Sequence, residues 1–550
     1  MENGRIAGKL SELASLLEIA GDNPHKIRAY RKASDLIREQ VADVAVLSRA
    51  GNVTALPGVG KGIGAVLDEI VASGTSTELE AIRERVPASL LEVAQIPGLG
   101  PAKVRALWET LGLMDVGEII QACRENRLVA LPGFGKKTQE KVLAGALFVE
   151  AGSGLFSLGK ARSVGLEVVA WLEAAGVSAR LSGPAARGVE VVDGVWVVAG
   201  SLADLSGLLG PLGPVTPTAD GANLVLGKMP VRVLSVEATE LEVAAVLASS
   251  DAAHAAWLVE RSGGDAALRA RGAKSEAEVY ERLGLPVVPV ELREGRAPDV
   301  PDDLVEAGDL RGCFHVHTDW SDGSGTIEAM VAAAEKVGYT WVGISDHSQA
   351  ASYANGLGPE RLRLQRAAID GVRAKFPQLT ILHGTEVDIL ADGSLDLDDQ
   401  TLASLDFAVA SVHTQVRLDE AAMTARLVKA VSHPLVTLLG HPRGRLLLSR
   451  QPSTFDLSAV ADAARTHGTA LEINASPQRL DLSDVDARTA KARGATFAIN
   501  PDAHAPGEME NQSLGITVAR RARLSRGEVL NAGPRKAVLA RVAKSRAIPE

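Results

Sequence analysis

The sequence predicts a multidomain protein of mixed α+β and α/β class. An N-terminal helical region and a middle α+β region precede a C-terminal distorted β/α barrel. Three observations carry this expectation. A Pro-Gly-x-Gly turn recurs three times within residues 1–150, each copy before a run of helical period. From Gly152 to about Leu292, short Val- and Leu-rich segments alternate with Ala-Leu helices. Beyond residue 310, short apolar runs ending in His, Asp or Glu alternate with Ala-rich helical segments, the pattern of strands and helices wound into a barrel. A chain of 550 residues is long enough for about three such domains, each with its own core.

Apolar residues at helical spacing give a first helix over Ile6–Ala20, stopped near Gly21-Asp-Asn-Pro. A second amphipathic helix runs through Lys26–Glu39, and its Lys26, Arg28, Arg31 and Lys32 read as a solvated face. The repeats follow: Leu56-Pro-Gly58-Val-Gly60-Lys61, Ile96-Pro-Gly98-Leu-Gly100-Pro-Ala-Lys103 and Leu131-Pro-Gly133-Phe-Gly135-Lys136-Lys137. Their glycines allow a tight turn and leave backbone N–H groups at the start of the next helix facing an anion, with a lysine nearby to add charge. The motif resembles the helix-hairpin-helix, which implies a grip on the DNA phosphate backbone without reading of bases.

In the middle region, strands are expected over Val189–Ala199, Leu224–Leu226 and Val231–Val236. Glu294-Gly-Arg-Ala-Pro-Asp-Val-Pro-Asp-Asp reads as a linker over 294–310. The barrel opens on Cys313-Phe-His315-Val-His317-Thr-Asp-Trp-Ser-Asp322-Gly, where two histidines two apart share one face of an extended run. Ile344-Ser-Asp346-His347, Gly384-Thr-Glu386-Val-Asp388, Ala410-Ser-Val-His413, Leu439-Gly-His441-Pro and Asn500-Pro-Asp502-Ala-His504 follow, each at the end of a short apolar run. The C-terminal ends of barrel strands converge on one rim, which would gather His315, His317, Asp322, His347, Glu386, His413, His441, Asp502 and His504. Nine imidazoles and carboxylates exceed the needs of one tetrahedral ion and suit two or three of Zn²⁺, Mn²⁺ or Fe²⁺, with a glutamate able to bridge. Such ions would yield hydroxide near neutral pH and clamp the oxygens of a phosphoester, so that a metal-bound hydroxide, not a further side chain, is the expected nucleophile.

This run resembles a PHP (polymerase and histidinol phosphatase) domain, and usable ligands fill all nine of that family's metal positions. The resemblance implies one ion on His315, His317, Glu386 and Asp502, a second on Glu386, His413 and His441, and a third on Asp322, His347 and His504, with Mn²⁺ as the working metal. Asp346 and Asp388 would orient ligands or satisfy backbone groups, and Arg443 and Arg445 could meet a substrate phosphate.

Bulk properties set the remaining bounds. A net charge of −10 excludes a broadly basic nucleic-acid coat, so DNA contacts must be local. Two cysteines, Cys123 and Cys313, form no disulfide framework, and Met-Glu-Asn-Gly-Arg lacks a signal-peptide pattern. With no apolar run of membrane-spanning length, a cytoplasmic protein is expected.

The order of regions, and the stretch Tyr280-Glu-Arg-Leu-Gly-Leu-Pro-Val-Val-Pro-Val-Glu-Leu-Arg-Glu-Gly, resemble the bacterial X-family DNA polymerases, implying a palm and thumb over 151–293 and the PHP domain over 311–550. Such a palm carries Gly-Ser, an Asp-x-Asp pair and a third Asp, holding two Mg²⁺ ions. Here Asp193 aligns with the first Asp, Val195 stands at the second, Ser182-Gly183 replaces Gly-Ser, and Arg232 occupies the third position, where it would compete with a cation for the charge of Asp193. Val66 stands where lyase members carry a Schiff-base lysine. The expected function is therefore a DNA-repair 3′–5′ exonuclease whose palm no longer polymerises. An active gap-filling polymerase with an attached nuclease and a small-molecule phosphatase of the histidinol-phosphatase type are the alternatives.

Overall fold

The computed structural model describes residues 3–39, 43–56, 58–264 and 270–545, so Pro57 of the first glycine turn and the last five residues of the barrel region fall outside it. The chain divides into two compact units, Met1–Ser153 with Leu448–Arg450, and Gly154–Leu447 with Gln451–Glu550.

The first unit is all helical among the described residues. Helix α1 (Asn3–Ala20) is lined on its inner face by Ile6, Leu10, Leu13, Leu16 and Leu17, all buried at helical spacing, and packs on α2 (Pro24–Glu39). Both start a little earlier than the apolar periodicity predicts, as helix ends commonly do. The three glycine turns each lead into a helix: α3 (Lys61–Ser73), α4 (Pro101–Leu111) and α5 (Lys136–Gly152).

The second unit holds two sheets of different character. The middle region forms a five-stranded mixed sheet in the order β1 (Ala179–Ser182), β2 (Val195–Gly200), β5 (Met229–Val236), β4 (Gly221–Leu226) and β3 (Val215–Thr218), parallel only between β2 and β5. The expected strand Val189–Ala199 is broken at Asp193-Gly194, because Val191–Val192 pairs instead with Phe156–Ser157.

Barrel strands run β6 (Gly312–Cys313), β7 (Trp341–Ile344), β8 (Thr380–His383), β9 (Glu386–Asp388), β10 (Val409–Ser411), β11 (Leu438–Leu439), β12 (Ala470–Asn474) and β13 (Phe497–Asn500), every pair parallel. β8 pairs with β7 and β9 pairs with β10, so one stretch of chain switches neighbour at Gly384-Thr385. Single bridges, His347 to Glu386 and Val316 to Ala503, link the two arcs into a distorted barrel. The switch is possible because residue 384 is glycine: a Cβ there would run into the ring of Phe407. Phe314, Trp341, Phe407, Val409 and Leu438 fill one end of the interior. Thr326, Asp419, Asp456 and Ser483 cap the helices Ile327–Lys336, Glu420–Val431, Leu457–His467 and Asp484–Ala492 with side-chain acceptors, which fixes where each connection re-enters the barrel. No helix among the described residues is long and apolar enough to cross a membrane.

Candidate metal centre and nucleic-acid interface

The nine side chains singled out from sequence come together at the C-terminal ends of the barrel strands, with Glu386 at their middle. Oε1 of Glu386 lies 3.3 Å from His315 Nε2, 3.3 Å from His413 Nε2 and 2.9 Å from His441 Nε2. Its Oε2 lies 3.6 Å from His317 Nε2 and 2.9 Å from His347 Nδ1. Asp502 Oδ1 stands 3.4 Å from His315 Nε2 and 3.3 Å from His317 Nε2. At the mouth, Asp322 faces His317 at 3.6 Å, His347 at 3.4 Å and His504 at 3.5 Å.

These separations test the fit of metal ions. Most are too long for a hydrogen bond. They match the edge of a tetrahedron of ligands about 2.1 Å from a central ion, which is about 3.4 Å. His315 Nε2, both ring nitrogens of His317, and Nδ1 of His347 and His441 are buried without a hydrogen-bond partner, a cost that a cation would remove. Ligand atoms fall into four tight groups: His317, Asp322, His347 and His504; His315, Glu386 and His441; His315, His317 and Asp502; His347, Glu386 and His413. The donor set therefore suits divalent ions, and two of the ligand residues, His441 (φ 24°) and Asp502 (φ 52°), adopt the left-handed backbone region, which non-glycine residues adopt mainly where surrounding structure enforces it.

Burial alone would depress the imidazole of His315, but Glu472, Asp502 and Glu386 hold it well above its ordinary value. Burial likewise opposes, and Glu386 and Asp322 reverse, the shift of His347, which rises to about 10. Burial and the neighbouring His504 and His347 push His317 down to about 3. Glu386 stays well below the carboxylate range despite its burial because His413, His315 and His347 surround it. The carboxylates thus favour the charged forms of His315 and His347 but not of His317, and a bound ion would take the place of the protons.

A second ring of contacts fixes the ligands. Glu472 on β12 is fully buried and accepts His315 Nδ1–H at 2.7 Å, the His441 backbone N–H at 2.7 Å, and the amides of Asn500 and Asn474 at 2.9 and 3.0 Å. The first of these bonds leaves His315 Nε2 facing the pocket. Asp388 does the same for His413 through Nδ1 at 3.1 Å. Asp346 accepts the backbone and side chain of Thr318, the Ser321 hydroxyl and the Gln365 amide, which holds the loop carrying Asp322. Asn474 reaches Asp502 Oδ2 at 3.0 Å.

The arginines singled out from sequence are paired within the fold. Arg443 is stacked 4.3 Å over Phe455 and donates to Asp486 at 2.8 Å, and Arg445 forms a two-pronged pair with Glu190 at 3.0 and 2.6 Å. The terminal nitrogens of both arginines thus have partners within the fold. A cation beside the pocket is Arg479, missed from sequence. Its Nε lies 3.5 Å from Asp502, one terminal nitrogen is buried without a hydrogen bond, and Arg445 Nε–H braces its carbonyl at 3.0 Å. Arg232 pairs with Asp220 at 2.6 Å and lies over Trp196, not against Asp193. A cleft of about 450 Å³ in the middle region is lined by Asp193, Trp196, Asn223 and Arg232 among others, and Asp193 is the single carboxylate among its lining residues. Val195, also in its lining, is buried.

In the helical unit the three turns repeat one geometry. Gly58, Gly98 and Gly133 have φ of 79°, 93° and 82°, left-handed conformations that glycine adopts freely. Gly60, Gly100 and Gly135 stand at the N-caps of α3, α4 and α5 with no side-chain cap, and a Cβ at any of these six positions would meet open space. Val59, Leu99 and Phe134 between the paired glycines are buried and anchor each turn. Lys61 and Lys136 open their helices and Lys137 follows, whereas Lys103 lies 5.5 Å from the centre of the Phe134 ring and donates to the Gly98 carbonyl. Val66 is buried.

Family models match three stretches: a helix-hairpin-helix domain over residues 1–76, a SAM-like helix-hairpin-helix tandem over 90–146, and a PHP domain over 314–476. A probable phosphatase of Shewanella sp. (strain MR-4) is 27% identical over 40% of this chain and 86% of its own length. Another, from Thermoanaerobacter sp. (strain X514), is 28% identical over 28% of this chain and 66% of its own. The DNA polymerase/3′-5′ exonuclease PolX of Bacillus subtilis (strain 168) is 33% identical over 97% of this chain and 98% of its own. Aligned in this way from the glycine-turn helices through the barrel, the chain belongs to the PolX family of X-family DNA polymerases that carry a PHP domain.

Proposed function

We propose that the protein is a cytoplasmic, metal-dependent phosphodiesterase that removes nucleotides from the 3′ ends of DNA through its barrel, and that its palm no longer polymerises. The convergence of nine imidazoles and carboxylates around Glu386, in a chain that also carries three uncapped glycine turns, is the observation that supports this most. The domains would be 1–150 for DNA binding, 151–293 for the palm and thumb, 294–310 as linker and 311–550 for hydrolysis.

His315, His317, Glu386 and Asp502 would hold one ion, Glu386, His413 and His441 a second, and Asp322, His347 and His504 a third, with Mn²⁺ as the working metal. Ions held there supply Lewis acidity toward phosphoryl oxygens and toward water. Arg479 binds a non-bridging oxygen of the scissile phosphate through its unused N–H groups. Glu472 and Asp388 keep His315 and His413 in the tautomer that presents Nε2. The glycine turns, with Lys61, Lys103, Lys136 and Lys137, hold the phosphate backbone without regard to sequence. Asp193 alone cannot hold the two ions of nucleotidyl transfer, which supports a palm retained as scaffold.

The test is a 3′-recessed, end-labelled primer with Mn²⁺, with and without four dNTPs. A ladder of shortened products, lost in a His315→Ala/His317→Ala variant, is expected. Extension by dNTPs would overturn the inactive palm. The likeness of the barrel to probable phosphatases supports a second reading, hydrolysis of a small phosphomonoester; that activity would survive loss of DNA binding through residues 1–150.

A further inference from the structure

Aromatic residues are scarce in this chain, with four tyrosines among 550 residues. Tyr30, Tyr280 and Tyr339 are buried, while Tyr353 is 69% exposed. Its ring centre lies 6.2 Å from that of His347 at an angle of 59°, and Asp322, Glu386, Asp388 and Arg479 are within electrostatic reach of its hydroxyl. An exposed aromatic is unremarkable by itself. This one stands at the mouth of the metal centre, on the turn Ser352–Ala354.

The turn is fastened on both sides, so the exposure is built in. The Ala350 N–H and the Gln349 amide donate to Asp396 at 2.7 and 2.9 Å. Beyond the turn, Asn355 Nδ2 donates to the Trp320 carbonyl at 3.1 Å, and Arg361 holds the Asn355 carbonyl at 2.6 Å. Ala351 and Ala354, on either side of the tyrosine, are buried and anchor the turn while its ring is left in solvent. Asn355 closes the turn at φ 55°, and the Gly356 N–H returns to the Ala351 carbonyl.

We propose that Tyr353 is the stacking platform for the base of the 3′-terminal nucleotide, so that this centre takes the end of a polynucleotide of any sequence. The inference rests on the nuclease reading. A phosphate held by Arg479 and the metal ligands puts its own sugar at the mouth, and the base attached to that sugar is the next flat, apolar group outward. Every base offers a π-face, so an aromatic platform serves all four without reading hydrogen-bonding edges.

The experiment compares two Mn²⁺-dependent substrates of the full-length protein, an oligothymidylate with an ordinary 3′ terminus and the same oligomer ending in an abasic tetrahydrofuran. The readout is the ratio of kcat/KM between the two ends. The native protein should prefer the end bearing a base by roughly ten- to a hundred-fold, carried mainly in KM. Tyr353→Ala should bring the ratio close to one, and Tyr353→Phe should keep it. Cleavage of the abasic end by Tyr353→Ala shows that the variant is folded. An unchanged ratio in Tyr353→Ala, or an equal loss on both ends, would overturn the platform while leaving the nuclease reading intact. Failure of the native protein to shorten either oligomer would overturn both.

Discussion

Glu472→Gln tests whether the buried contacts behind the ligands set the metal affinity of the centre. The carboxylate is fully buried and receives four hydrogen bonds, two on each oxygen: His315 Nδ1 and Asn500 on Oε1, the His441 N–H and Asn474 on Oε2. Glutamine keeps the volume, but one acceptor becomes an NH₂ group and the negative charge is lost. Either orientation of the new amide sets two donors against it. Hydrogen bonds to a charged group contribute about 1.5–3 kcal/mol each, so two lost bonds at the lower end cost about 3 kcal/mol. Loss of an outer-shell partner typically weakens a metal site 10- to 100-fold, which is about 1.4–2.7 kcal/mol. Both routes place the effect on His315 and His441, which share Oε1 of Glu386. Mn²⁺ binding to the full-length protein, followed by electron paramagnetic resonance, should show affinity lower by roughly one to two orders of magnitude, with nuclease activity recovered in part at high Mn²⁺. Mn²⁺ affinity within twofold of the native protein would refute the reasoning, because it would mean that the orientation of His315 does not depend on its buried partner.

Gly133→Ala forces an L-residue into φ 82° at a cost of roughly 1–2 kcal/mol and should weaken duplex binding severalfold in an anisotropy titration at low salt. Gly154→Ala, at φ 75° outside the repeats, should leave binding unchanged; an equal effect of both would mean that the turn does not face DNA. Arg445→Met removes the pair with Glu190 and the brace on the Arg479 carbonyl, so it should lower the Tm of the full chain by a few degrees. It should also reduce kcat/KM less than Arg479→Met does; a reversed order would restore Arg445 to the phosphate.

What could be read from the sequence, and what could not, separates along physical lines. The clustering of the nine side chains was legible because each is a polar residue of metal-binding type at the end of a short apolar run, and a barrel gathers such ends whatever the lengths between them. Glu472, Asn474 and Arg479 were not. Ala470-Leu-Glu-Ile-Asn474 mixes two polar residues into a buried strand, and a pattern that seeks apolar runs passes over it. A glutamate on a strand buried along its whole length is itself the missed signal, since it must be satisfied by partners. The partners of the arginines were hidden for another reason. Position after His441 says nothing about direction, and only the fold reveals that Glu190, 255 residues earlier in the chain, claims Arg445. Arg232, expected to compete for the charge of Asp193, lines the same cleft, but its partner Asp220 comes from the hairpin next door.

The two ends of the barrel explain why the centre can hold so many polar groups. One end is closed by Phe314, Trp341, Phe407 and Leu438, whose burial contributes stability by the ordinary apolar route. At the other, His315, His317, Glu386, His441, Glu472, Asn474, Asn500 and Asp502 are buried, and each unsatisfied donor or acceptor among them costs free energy. The geometry divides that cost. Glu472 and the asparagines satisfy one another and the inner sides of the ligands. The outward-facing imidazole nitrogens, without hydrogen-bond partners, are left to positive ions. A barrel built for packing alone would have no reason to orphan them. The left-handed backbones of His441 and Asp502 point the same way, since non-glycine residues adopt that region mainly where surrounding structure enforces it, often at functional sites.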